Sequence, residues 1–61
     1  MIYEGFYVGT FKDNVFVSNK DGKNESFKAS LNLVSFIANL YKLYEPIKLE
    51  IHDKKIKKII L

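Results

Sequence analysis

A chain of 61 residues forms one domain, 1–61, and at this length folding buries only about 60% of the surface that the unfolded chain exposes. With no cysteine and a single histidine, His52, neither a disulfide nor a structural zinc site of the usual ligand type can brace it. No cofactor or metal is therefore expected, and the net charge of +3, carried by ten lysines and no arginine, pulls only weakly toward nucleic acid.

Residues 2–11, rich in aromatic and β-branched types, predict a strand; Lys12-Asp13-Asn14 predicts a turn, and Val15-Phe16-Val17-Ser18 the return strand of a hairpin. Gly5 and Gly9 share a face with Tyr3, Tyr7 and Phe11 on strict alternation, which points to a bulge or to a close approach by another element. In Asn19-Lys20-Asp21-Gly22-Lys23 the Asp-Gly pair favours a type I′ turn, followed by a third strand over residues 24–29 with Phe27 facing inward.

From Leu31 the period changes to that of a helix. Leu33, Phe36, Ile37, Leu40, Tyr41 and Tyr44 fall on one stripe, Ser30 is the N-cap, and Glu45-Pro46 ends the helix, because a residue before proline avoids the α region. The period then returns to two: Ile47, Leu49 and Ile51 lie on one face, and Lys48, Glu50 and His52 on the other. Asp53-Lys54-Lys55 turns into a last strand from Ile56 to Leu61.

The fold class is α+β, in the order β-β-β-α-β-β: a small antiparallel sheet of four to five strands, with one central helix covering one face. On this reading the first and last strands are candidates for neighbours. A β-grasp-like arrangement, with residues 24–29 as loop, is the alternative.

The helix is more apolar than one contact requires. Its polar stripe is confined to Asn32, Ser35, Asn39 and Lys42, and it has no acidic residue. The surplus predicts a second buried contact, most simply a homodimer, through Leu33, Val34, Phe36, Ile37, Leu40 and Tyr41. The leading expectation is a non-enzymatic protein-binding module, an accessory or inhibitor, whose partner the residues do not identify.

A second class is nucleic-acid binding through Lys54, Lys55, Lys57 and Lys58, with Tyr3 and Tyr7 as stacking surfaces drawn from the hairpin aromatics Tyr3, Phe6, Tyr7, Phe11 and Phe16. The structural alternatives are that the aromatics form the core and that the lysines blunt a sheet edge. His52, Asp53 and Glu50 read as a surface trio. With no phosphate-cradling glycine loop and no nucleophile motif, no enzyme is expected. Neither a membrane span nor a signal peptide is legible, so a cytoplasmic protein without a membrane partner is expected.

Asp21-Gly22-Lys23, the strand after it, Leu31-x-Leu33-x-x-Phe36, Leu40-Tyr41 and Ile47-Lys48-Leu49 together resemble the uracil-DNA glycosylase inhibitors of small tailed phages, over about half of the chain. The resemblance implies a dimer of β-β-α-β protomers paired through their helices. Each protomer would seat a leucine of the glycosylase in an apolar pocket that Phe36 and Tyr41 would line. Ile37 stands where that family has an acidic residue, and the net charge here is positive.

Overall fold

The computed structural model describes residues 1–61, with the elements β1 (Ile2–Phe11), β2 (Asn14–Ser18), β3 (Asn24–Lys28), α1 (Leu31–Leu40), β4 (Pro46–His52) and β5 (Lys55–Ile59). The strands do not form an open layer beneath the helix. They close into a barrel in the order β1-β2-β3-β5-β4, with β4 pairing back onto β1. Closure depends on one parallel bridge, Lys28 to Lys55, and a hydrogen bond from the Lys28 N–H to the Lys54 carbonyl; every other pairing is antiparallel. The first and last strands are therefore not neighbours, because β5 lies between β3 and β4, and residues 24–28 are strand, not loop.

The barrel is filled by alternation. Tyr3 and Tyr7 of β1, Val15 and Val17 of β2, Phe27 of β3, Ile47, Leu49 and Ile51 of β4 and Ile56 of β5 are buried, and α1 adds Val34 and Ile37. Gly5 makes room in this interior: a Cβ there would run into the Ser18 carbonyl oxygen and the Tyr3 ring. That ring meets Phe27 edge-on, with centroids 5.2 Å apart. The Tyr3 hydroxyl is buried without a hydrogen-bond partner. Burial first, and then the negative charge of Glu25, push its pKa up to about 12.

The alternation breaks once, and the break shapes the surface. A bulge between Tyr7 and Gly9 makes Val8 an extra residue, so Gly9 faces Phe16 and Phe11 faces Asn14 in the β1–β2 ladder. Tyr3, Gly5 and Tyr7 point inward, but after the bulge Gly9 and Phe11 share the outer face with Asn14 and Phe16.

Ser30 caps the helix, its hydroxyl accepting from the Leu33 N–H at 3.2 Å. The helix stops at Leu40, earlier than the proline would require. Tyr41 leaves in extended geometry and packs on Tyr7, with ring centroids 6.3 Å apart. The Glu45 carboxylate then accepts from the Lys42 N–H at 2.7 Å and closes a small turn before Pro46. Tyr44 thus belongs to this corner, not to a helical stripe. No helix is long and apolar enough to cross a membrane.

Candidate nucleic-acid interface

Two two-residue turns lie at one end of the barrel. Lys12-Asp13 joins β1 to β2, and Asp53-Lys54 joins β4 to β5. The end of β3 runs between them, since Ala29 donates its N–H to the Asp13 carbonyl and Lys28 donates its own to the Lys54 carbonyl. These bonds bring together residues from three distant parts of the sequence.

An open groove of about 310 Å³ results, lined by Asn14, Ser26, Lys28, Asp53, Lys54 and Lys55. A second groove beside it shares Lys28 and Lys55 and adds Asp13 and Lys57. With Lys12 in the adjoining turn, this end carries five lysines against two aspartates, the whole net charge of the chain. Elsewhere Lys20, Lys23, Lys42, Lys48 and Lys58 are matched by Glu4, Asp21, Glu25, Glu45 and Glu50. The Nζ of Lys28 lies 3.4 Å from Asp13, but both groups are about half exposed, so water screens the pair and leaves Lys28 available.

The turns themselves hold unusual backbone. Lys12, Asp53 and Lys54 have φ of 55°, 51° and 62°, the left-handed region in which glycine or asparagine sits at least cost. The chain places lysine there twice, on either side of the same groove.

Aromatic rings border the basic end. Phe16 alternates with the inward Val15 and Val17 and therefore faces out; its neighbours across the sheet are Gly9 on one side and Ser26 on the other. The ring is nevertheless partly buried. Phe11 is 63% exposed and has Lys12 Nζ 5.4 Å from its centroid. The two rings are diagonal neighbours in the ladder, a separation of about 7–8 Å between backbone positions. Flat apolar surfaces beside mobile cations form the combination that single-stranded nucleic acid uses, bases on the rings and phosphates on the ammonium groups.

Several expected site residues lie elsewhere. Tyr3 and Tyr7 are core residues, 8% and 6% exposed, and cannot stack on a ligand, because they lie on the inward side of the bulge. Lys54, Lys55 and Lys57 reach the grooves, whereas Lys58 is 3.9 Å from Glu50 on the β4–β5 face. His52 Nε2 also faces Glu50, at 3.4 Å, on the outer surface of β4. In the barrel order β5 lies between β3 and β4, but its pairing with β3 is the single bridge at Lys55, so Lys57 and Lys58 lie on a stretch of β5 paired only to β4.

Of the six helix positions expected to meet a partner, Val34 and Ile37 are buried in the barrel core, and Leu33 and Tyr41 pack partly against it. Burial, and then the charge of Glu45, push the Tyr41 phenol up. Phe36 and Leu40 alone remain substantially exposed, at 50% and 47%. The helix meets a narrow barrel, not a broad sheet, and that narrow seam sets its rotation.

The sequence does not single out Lys12, Asn14 or Lys28 as site residues, and it marks Phe11 and Phe16 as hairpin aromatics without placing them on the outer face. For Phe16 and Lys28 the signal was present, since each alternates with an apolar neighbour that must face inward. Comparison with protein-family models, with curated proteins and with solved structures finds no match.

Proposed function

We propose that this chain is a single-stranded nucleic-acid-binding module that stacks bases on Phe11 and Phe16 and holds phosphates with Lys12, Lys28, Lys54 and Lys55. The supporting observation is that the chain's entire excess of positive charge lies at the barrel end bordered by two outward-facing rings, Phe11 exposed and Phe16 partly buried. Strand order and helix position are those of the OB barrel, whose oligonucleotide face is formed by strands 2 and 3 and by the 1–2 and 4–5 loops. That likeness points to the place; the function rests on the side chains found there. Lysine in place of arginine suits a sequence-tolerant phosphate contact better than bidentate reading of a base edge.

Fluorescence anisotropy with labelled oligo-dT and oligo-U, against a duplex of equal length, tests the reading. Single strands are expected to bind more tightly, and Phe16→Ala and Phe11→Ala should each weaken binding by roughly 5- to 150-fold, one lost base stack. Equal binding of the duplex, or two variants that bind like the parent, would refute it.

A second reading, protein binding through α1, is supported by the half-exposed Phe36 ring beside Leu40. It includes the glycosylase-inhibitor resemblance, in which Phe36 would line a pocket. Val34 and Ile37 contribute nothing to such a surface.

A further inference from the structure

At the end of the barrel opposite the basic face, the corner that follows α1 projects two large apolar side chains, Leu43 and Tyr44, 62% and 70% exposed. Tyr44 is there against local preference. Its φ is 66°, a conformation that is a real outlier for a bulky residue, held by a 2.6 Å hydrogen bond from its N–H to the Tyr7 carbonyl. Glycine would satisfy this backbone at lower cost, and what tyrosine adds is an exposed ring. Beside the corner lies an apolar groove of about 450 Å³, walled by Phe6, Tyr41, Pro46 and Ile60, with Glu4, Lys20 and Lys48 also lining it.

We infer that this face pairs with a second copy of the chain about a two-fold axis, the Leu43-Tyr44 corner of each copy seated in the groove of the other. Corner and groove lie side by side, as an isologous contact requires, because the same patch must serve as both knob and hole. The groove suits a phenol: apolar walls take the ring, and the Glu4 carboxylate at the rim can accept its hydroxyl. Charge favours a like partner. No residue from Leu31 to Tyr41 is charged, the groove carries Glu4 beside Lys20 and Lys48, and Lys42 and Glu45 flank the corner, so a two-fold pairing can set acid against lysine while the basic ends stay apart. Phe36, Leu40, Leu43 and Tyr44 together offer roughly 400 to 500 Å² of exposed surface, large for a patch on a monomer and below the ~800 Å² per partner of a standard interface. A weak, concentration-dependent dimer follows. It does not depend on the nucleic-acid reading.

Sedimentation equilibrium in high salt without nucleic acid, over about 10 µM to 1 mM, tests it. The parent should pass from monomer to dimer, and Tyr44→Gly should raise the dissociation constant at least about tenfold, as loss of an interface anchor does. At dilutions where both chains are monomeric, Tyr44→Gly should melt no lower than the parent, because glycine is at ease at that backbone position. Misfolding therefore cannot account for a lost dimer. Leu43→Ser, which leaves the backbone strain in place, should weaken the dimer as well. A parent monomeric throughout, or variants that dimerise as well as the parent, would overturn the inference.

Discussion

Salt dependence gives the sharpest test of the basic face, because counterion release counts phosphate contacts. Five lysines surround the grooves, and Asp13 and Asp53 offset two, leaving about three effective contacts; at about 0.7 per contact on a single strand, log K should fall with log salt at a slope near −2. Raising salt from 50 to 200 mM then weakens binding about 16-fold. In Lys54→Gln/Lys55→Gln the slope should shrink by about 1.4, so that the same change costs only about 2- to 3-fold. The assay is an anisotropy titration of a labelled oligonucleotide at five or more salt concentrations. Lys20→Gln/Lys23→Gln removes the same charge from the β2–β3 connection and should leave the slope nearly unchanged. A flat parent slope, or a control that loses as much slope as the groove variant, would refute the assignment of charge to this end.

Ile37→Ala should destabilise the fold by about 2–5 kcal/mol in urea denaturation, since Ile37 is fully buried between helix and barrel. Gly5→Ala should cost about 1–3 kcal/mol, measured the same way, because the added methyl meets backbone oxygen as well as the Tyr3 ring. Because burial raises the Tyr3 pKa from 10.0 to about 12, this group leaves stability unchanged below pH 10 and lowers it as pH rises from 10 through 12, where the unfolded chain ionises and the folded one resists. Tyr3→Phe should lack that part of the alkaline decline, and at neutral pH should match or exceed the parent, because it removes a buried hydroxyl without a partner. Lys54→Asn should raise stability by up to about 1 kcal/mol, asparagine tolerating the left-handed backbone, and yet weaken oligonucleotide binding. A variant that gained stability and kept full affinity would separate the strained turn from the site.

The strands were legible because their alternation is strong. Ile47, Leu49 and Ile51, or Val15 and Val17, leave one choice of inward face, and Ser30 ahead of an apolar helix announces the cap. Closure into a barrel was not legible, since it depends on a single long-range bridge between Lys28 and Lys55 that carries no local pattern. The helix phase was misread for a related reason: a wide sheet would have covered Phe36 and Leu40, and the narrow barrel covers Val34 and Ile37. The reading of the β1 tyrosines as core holds and their use as stacking surfaces does not, whereas strict alternation puts Phe11 on the same face as Tyr7, which the extra residue at Val8 overturns. Gly9 hinted at a bulge, but a glycine does not say where the phase shifts.

Strands β4 and β5 run between two chemically opposite ends. At one end Lys54 and Lys55 rise from a strained turn; at the other Pro46 and Ile60 border the apolar groove next to Tyr44. Backbone strain is concentrated at these ends, with Lys12, Asp53 and Lys54 at the first and Tyr44 at the second. Asp53 apart, each of these strained residues displays the group a ligand would touch, a cation for Lys12 and Lys54 and an aromatic ring for Tyr44. Pairing through the apolar ends would leave both basic faces free and directed apart, so one strand long enough to reach both would bind by the product of two modest contacts. The second contact would gain an effective concentration that a monomer lacks. Affinity for long oligonucleotides should then rise with protein dimerisation, and Tyr44→Gly should remove that gain while leaving affinity for short ones as it was.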